Sequence, residues 1–468
     1  MPIVPCTLSL HLIAEGQAHP LIGLIPVVIA LVLVFVWHRS TKRKRLIEDV
    51  PTSKVKGVAI GLTEVKGHAR IDEPHISYLA ERPCVWYRYV VEEHWRRTRT
   101  VTYTDSKGRT RTRTKTESGW KTVQSDEVRG LFYLEDETGK LRMNPNRAEI
   151  DGQEIFNRTV RKHDPLYYGK GPRRGIANST GRRRFSEEAI PVGDRIYVMG
   201  TARVRTDAVA AEIAYDEDAP MFMISTRNEE QITSGYGIWS TVSAVLGTVL
   251  IALGGGFLYA VSQRMGADDP GTLLSAAGAG LGYVLLLSAL YAMLMYNGLI
   301  RVRERISKSW AMIEVQLKRR ADLIPRLAAV VKGYADHEKE VQDGLAELRA
   351  DALSGREHTP RKGEVAEAQR VADGQTAMLS RVLAVVEAYP DLKANELYLN
   401  LQRELSDAED RIALAWSFYN DTVTAYNERI ATLPDVLFAR LMALGRVRHY
   451  EIEAFERRPV DVRLGPAD

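Results

Sequence analysis

The chain has 468 residues, with 64 Lys and Arg against 60 Asp and Glu and a formal net charge of +4. That length leaves room for two or three domains, each with its own core, and a mean hydropathy of -0.22 makes most of it water-soluble. Two distant cysteines, Cys6 and Cys84, exclude a disulfide framework and a Cys-rich zinc site, and the ten histidines include no i, i+4 pair around a Glu.

Residues 1–20 contain no Lys or Arg, unlike a secretory or mitochondrial leader, and read as a short exterior N-terminus. Residues 21–37 are uncharged and long enough to cross a hydrocarbon core of about 30 Å. The basic flank His38-Arg39-Ser40-Thr41-Lys42-Arg43-Lys44-Arg45 should stay in the cytoplasm. Residues 21–37 are therefore expected to be an uncleaved first transmembrane helix.

From residue 50 to 233 the period becomes two. Val85, Tyr87, Tyr89 and Val91 alternate with Trp86, Arg88, Val90 and Glu92. Asp136-Glu137-Thr138-Gly139 reads as a hairpin turn between strands at 131–135 and 140–143, and Gly193-Asp194 leads into a strand at 196–204. Short strands with Gly turns predict a small all-β domain, a barrel or sandwich with an OB-like look.

Two insertions in this domain are basic. In the first, Arg96, Arg97, Arg99, Arg109, Arg111, Arg113 and Lys115 surround Asp105-Ser106-Lys107-Gly108, and the Arg-Thr alternation over 109–114 puts arginines on one face of a ribbon. The second, 158–184, is rich in Gly and Pro and reads as a flexible loop. The ribbon suits anionic headgroups, each cation near the surface contributing ~1 kcal/mol. Nucleic-acid phosphates are a disfavoured rival, and a solvated hairpin is the plain alternative.

Residues 238–261 and 273–295 are two further uncharged runs, and the short loop between them makes them an antiparallel hairpin. The last run exits into Arg301, Arg303, Arg305 and Lys308, so all three flanks agree on both soluble parts being cytoplasmic, with the N-terminus outside. Gly254, Gly255 and Gly256 in the second run and Gly278 and Gly282 in the third allow close helix packing, within the hairpin or between copies of the chain. No Asp, Glu, Lys or Arg lies inside a run, which favours an anchor over an ion pathway.

Residues 296–455 read as a long antiparallel α-helical bundle. One seam runs Val302, Ile306, Trp310, Ile313, Leu317, Ile324, Val331, Tyr334, Val341 and Leu345. A second runs Leu401, Leu405, Ala408, Ile412, Ala415, Tyr419, Val423, Tyr426 and Ile430, close to a 3.5-residue repeat. A bend is expected at Pro325, a middle helix over 362–388, and a short helix after Pro434; 456–468 is a tail. Lys318, Arg319 and Arg320 read either as a solvated basic turn or as a contact. Asn297, Asn420 and Asn427 are expected to fix register between helices.

Residues Tyr296-Asn297-Gly298-Leu299, Val315-Gln316-Leu317-Lys318-Arg319-Arg320-Ala321-Asp322-Leu323-Ile324-Pro325, Val331-Lys332-Gly333-Tyr334-Ala335, Tyr389-Pro390-Asp391-Leu392 and Phe418-Tyr419-Asn420-Asp421 resemble the LemA family. The resemblance covers roughly 295–455. It implies a membrane helix with a cytoplasmic helical bundle, a bacterial-type inner-membrane location, no known enzymatic activity and, through relatives needed to make the magnetosome membrane, a part in membrane organisation. Pro83-Cys84-Val85-Trp86-Tyr87-Arg88, Phe132-Tyr133-Leu134-Glu135-Asp136-Glu137-Thr138-Gly139-Lys140 and Pro191-Val192-Gly193-Asp194-Arg195-Ile196-Tyr197-Val198-Met199-Gly200 resemble the GIDE domain of a membrane E3 ubiquitin ligase. Such ligases end in a zinc-binding RING, for which this chain lacks the cysteines.

No catalytic triad, carboxylate pair or phosphate-binding loop stands out, and no cofactor or metal is expected. The leading expectation is a non-enzymatic, multi-pass membrane scaffold that self-associates as a homo-oligomer. An adaptor for an unknown client protein and an enzyme with a site in the β domain are the alternatives.

Overall fold

The computed structural model describes residues 21–104, 109–205, 211–217, 219, 221–263, 269–334, 365–387 and 395–450. The exterior N-terminus, the ribbon tip 105–108, Val341, Leu345, the Tyr389-Pro390-Asp391 stop and the tail lie outside these residues. The helices are α1 (Leu21–Glu48), α2 (Pro165–Gly169), α3 (Glu229–Gln263), α4 (Pro270–Tyr334), α5 (Val365–Glu387), α6 (Glu396–Ala431) and α7 (Asp435–Leu441). The chain divides into two compact units, Thr52–Gln231 and the remainder.

In the first unit, strand Gly61–Arg70 pairs antiparallel with both Phe132–Asp136 and Arg195–Val204. Phe132–Asp136 turns back into Gly139–Met143, which lies parallel to Ala211–Ala214, and that strand pairs with Arg195–Val204. These five strands thus close into a barrel. The hairpin turn forms where Asp136-Glu137-Thr138-Gly139 predicts it. Asp136 Oδ1 accepts from the Thr138 amide at 2.7 Å and the Gly139 amide at 3.1 Å. Alternate residues Val65, Phe132, Leu134, Met143, Ile196, Val198 and Ile213 fill the core.

A second sheet grows from the barrel through one long strand, Pro83–Thr104. Its Trp86 lies in the barrel core, while Tyr89 and Val91 enter a smaller core with Leu79, Val160, Tyr167 and Phe185. Thr110–Arg129 flanks this strand on one side and Ser179–Pro191 on the other, with Gln153–Arg161 beyond. Residues 158–184 are therefore not a flexible loop. They contain strand ends and α2, closed around the buried Arg183.

In the second unit, α1, α3 and α4 are each long and apolar enough to cross a membrane. They meet at Ala30, Trp37, Tyr283 and Leu287, and the Tyr283 hydroxyl donates to the Ala30 carbonyl at 3.3 Å. The third expected span and the first helix of the C-terminal region are one element: α4 runs 65 residues and passes through Pro325 as continuous helix. Nothing between Met295 and Trp310 stops it, since Gly298 alone is weak punctuation.

The two predicted seams bury each other. Leu299 and Val302 meet Tyr426 and Ile430; Trp310, Ile313 and Leu317 meet Ile412, Ala415 and Tyr419; Leu323 to Val331 meet Leu405 and Ala408. Rising numbers on α4 against falling ones on α6 make that pair antiparallel. In contrast, α5 climbs with α4: Ala368 and Ala372 lie beside Ile313 and Leu317, Val382 and Val386 beside Leu327 and Val331. An all-antiparallel set does not describe α5, whose connection from α4 lies outside the described residues. Asn395 caps α6 by accepting from the Leu397 and Tyr398 amides at 2.8 and 3.2 Å.

Candidate functional site: membrane-contact and association surfaces

Past Arg96, whose amide still donates to the Asn178 carbonyl, the two basic strands pair only with each other among the described strands. They extend roughly 25 Å to Thr104, at about 3.3 Å per residue. Directly opposed residues share a face, and the register sorts the sequence completely. Thr98, Thr100, Thr102 and Thr104 oppose Thr116, Thr114, Thr112 and Thr110. On the other face Arg97 opposes Glu117, Arg99 opposes Lys115, Val101 opposes Arg113 and Tyr103 opposes Arg111. Arg109 has the parity of the basic face, whereas Arg96, opposite Ser118, falls on the threonine face. Glu117 is the one acid in the basic row among the described residues, and it pairs with Lys115 at 2.9 Å.

The glycines divide between inside and outside. A Cβ on Gly254 would stand 3.0 Å from Val27 Cγ2 of α1, one on Gly255 2.6 Å from Ala279 Cβ, and one on Gly256 3.0 Å from Ala276 Cβ. At these three positions the neighbouring spans approach closely. Gly278 and Gly282 have open space where a Cβ would be, and Gly280, 3.4 Å from Ala252 Cβ, makes the contact on that stretch of α4.

Arg183, fully buried, and Arg429, whose side chain is 9% exposed, escaped the sequence reading. Arg183 and Glu93 are both fully buried: the guanidinium donates to Glu93 Oε2 at 2.9 and 3.1 Å and to the carbonyls of Tyr167, Pro172 and Arg174. Burial would raise the Glu93 carboxyl, but bonds from Ser179, Arg183 and Tyr167 hold it below the usual range. In the helical unit, Arg429 at the end of α6 binds Asp49, just past α1, and Asp435 Oδ2 at 2.6 Å. Arg305 of α4 donates to the Asp49 carbonyl. A Cβ on Gly298 would stand 2.5 Å from Arg429 Nη2, so that glycine makes room for the guanidinium. Here burial wins: the Asp49 carboxyl is raised in spite of Arg429, Arg305 and Arg301.

Lys318, Arg319 and Arg320 part company as their helical spacing requires. Lys318 and Arg319 are exposed, while Arg320 is buried against Glu409 at 2.7 Å and Thr376. Asn420 and Asn427 fix register on an extended segment rather than on another helix. Each accepts one backbone amide and donates to one carbonyl, of Tyr450 and Val447 respectively, at 2.8–3.0 Å. Tyr450 then stacks on Trp416 at 3.6 Å.

In the barrel, a cavity of about 300 Å³ is lined by Lys66, Tyr197, Arg227 and Glu229. Its charges are mutually engaged: Lys66 lies 3.0 Å from Glu64 and 2.7 Å from Glu229, and Tyr197 donates to Glu64 at 2.8 Å. Burial raises the Glu64 carboxyl against these bonds. Burial beside Glu187 pushes the Cys84 thiol up to about 11, which makes it a poor nucleophile. No group of three metal-ligating side chains occurs among the described residues.

Residues 309–464 match the model of the LemA family, and residues 100–259 match the GIDE model, described as an E3 ubiquitin ligase. The chain is 28% identical over 165 residues to Protein LemA of Metamycoplasma hominis, covering 35% of this chain and 73% of that one. It is 25% identical over 216 residues to Magnetosome protein MamQ of Magnetospirillum gryphiswaldense, covering 41% of this chain and 78% of the relative. Apolar helices and relatives together mark a membrane protein with a LemA-type C-terminal region behind a GIDE region.

Proposed function

We propose that this LemA- and GIDE-containing membrane protein is a non-enzymatic organiser of the membrane in which it is anchored. Both soluble parts lie on the cytoplasmic side of a bacterial-type inner membrane, a reading supported by the basic flanks of α1 and α4. The barrel is an OB-like module, a reading supported by its closed ring of five strands with one parallel pair. The helices of the C-terminal region form a bundle, and copies associate through the outward face of α4 that carries Gly278 and Gly282. MamQ is by name a magnetosome protein, and a role in shaping or populating an internal membrane agrees with that likeness. Ligase activity does not follow from the GIDE match, because two cysteines cannot build a RING.

The observation that carries this reading is the segregation of the ribbon into a basic face and a threonine face. A flat row of arginines on a projecting hairpin can lie along an anionic surface, each cation contributing ~1 kcal/mol. Reversing Arg109, Arg111 and Arg113 to Glu should therefore weaken binding to phosphatidylglycerol vesicles at least ~100-fold, about 3 kcal/mol, as read by flotation. Unchanged binding would sink the lipid reading, and restored affinity for duplex DNA over vesicles in the unmodified protein would replace it with nucleic acid. Self-association is tested separately: Gly278→Leu should lower the mass measured by light scattering in nanodiscs, with the fold intact.

A further inference from the structure

We propose that the polar end of the three membrane helices holds a specific site for the phosphodiester headgroup of an anionic lipid. A cleft of about 840 Å³ opens there, lined by Thr41, Lys44 and Arg45 of α1, Ser240 and Thr241 of α3, and Tyr291 of α4. That volume falls within the roughly 300–1,000 Å³ of small-ligand sites.

The walls supply what a phosphodiester needs. Lys44 reaches across Gly237, where a Cβ would stand 3.6 Å from its Nζ. Its acidic neighbour among the described residues, Glu48, is 3.6 Å away, too long for a hydrogen bond, and leaves the ammonium donors for a ligand. Arg45 is aimed by Tyr291, whose hydroxyl it meets, and by Asp435 at 3.5 Å. Thr41 Oγ1 and Ser240 Oγ lie 2.8 Å apart, so one hydroxyl donates to the other and the second keeps its proton for an incoming oxygen.

The depth is also right for a lipid. Trp37 and Tyr291 lie 6.5 Å apart, and Trp239, next to Ser240, is exposed on α3, the kind of aromatic residue found at the headgroup boundary. The exposed Ile238 and Val242 of α3 also line the cleft and offer an apolar wall for an acyl chain. Basic pockets between membrane helices bind anionic headgroups in this way. The site extends the reading of the chain as a partner of anionic membrane, but uses residues outside the ribbon.

The test is native mass spectrometry of the full-length protein released from nanodiscs of mixed phosphatidylglycerol and phosphatidylcholine. The protein should retain phosphatidylglycerol through delipidation that strips phosphatidylcholine. Lys44→Gln should cut that retention about fivefold, the factor one headgroup-level cation contributes, and Lys44→Arg should restore it. Thr241→Trp, which fills the cleft without changing charge, should lower retention as well. The ribbon variant with Arg109, Arg111 and Arg113 reversed should retain the lipid normally, so failure of the ribbon and failure of the cleft are read apart. Equal retention by the unmodified protein, Lys44→Gln and Thr241→Trp, or equal retention of the two lipids, would overturn the site. Thermal stabilisation of delipidated protein by inorganic phosphate as great as by short-chain phosphatidylglycerol would assign it to a free phosphate instead.

Discussion

Arg183 in the β-rich unit and Arg429 in the helical unit are both paired with a buried carboxylate, yet they do different jobs. Arg183 is saturated. It meets Glu93 twice and three carbonyls, stacks 3.9 Å over the Tyr167 ring, and all of these groups come from the strands and turns beside it. Arg429 is shared. It joins Asp49 and Asp435, which lie 386 positions apart in the chain. The first folds an insertion onto its own sheet; the second ties the end of a membrane helix to the last turns of the C-terminal region. A buried ion pair with every lone pair answered closes a structure, whereas one divided between segments couples them.

The largest effect follows from breaking the saturated pair. Arg183→Ala leaves Glu93 charged and buried, which costs about 3–5 kcal/mol. Residues 162–178 lose the side chain they wrap around, so trypsin should cut at Lys170, Arg173 and Arg174 in the folded protein. The double variant Arg183→Met with Glu93→Leu should recover most of the loss, because an apolar pair of similar size removes the stranded charge. Protease resistance of the single variant equal to the unmodified protein would show that the insertion is held by other contacts.

Arg429→Ala should cost less, about 3 kcal/mol at most, since Asp435 keeps Arg45 at 3.5 Å. Its consequence is spatial: amide exchange should rise in α7 and around Asp49 together, while the Trp310–Trp416 contact is retained. Exchange confined to α7 would mean that Asp49 and Arg429 are neighbours without being coupled.

Smaller still is the loss of an asparagine. Asn420→Ala or Asn427→Ala removes two hydrogen bonds to an extended segment, at roughly 1 kcal/mol each. The segment through Tyr450 should exchange faster, with the α4–α6 pairing unaffected. Faster exchange along α6 itself would return these asparagines to the interhelical role that their spacing predicts.

The apolar seams and the hairpin at Asp136 were legible because period and punctuation are local. Ile313, Leu317, Ile412 and Tyr419 announce a buried stripe whatever they face. The charged network was not legible. Arg183 stands among Arg182 and Arg184, all three identical in composition and alternate in direction, and nothing local says that the middle one points inward. Arg320 hides in the same way behind Lys318 and Arg319. The ribbon lies between these cases: alternation revealed its arginine face, but the threonine face and the misfit of Arg96 depend on the register across the turn. Asp49 follows Glu48 just after the basic flank, and nothing local distinguishes the acid that is buried from its exposed neighbour.

The smallest expected effect sharpens the comparison by its sign. Glu93 has a lowered carboxyl: burial opposes ionisation, but Ser179, Arg183 and Tyr167 together outweigh it. Glu212, held by Arg142 and Arg203 against its own burial, and Asp136, held by Thr138 and neighbouring amides, move the same way. Their stabilising contribution is present above the ordinary carboxylate values and is lost as pH falls through the folded ones. Glu64, raised by burial, opposes them. Asp49 is also raised, and its Oδ2 has no hydrogen-bond partner among the described residues. For Asp49 the sign is reversed: its contribution is full below the ordinary aspartate value of 3.8 and declines as pH rises through the folded value. Acidification from neutral pH should therefore loosen the barrel and second sheet while sparing or tightening the Asp49 contact. Peptide-resolved hydrogen exchange, corrected for intrinsic rates, separates the two units in one experiment. Parallel loosening of both would mean that the Asp49 carboxyl is lowered like that of Glu93, and that the shared arginine satisfies its carboxylate as fully as the saturated one does.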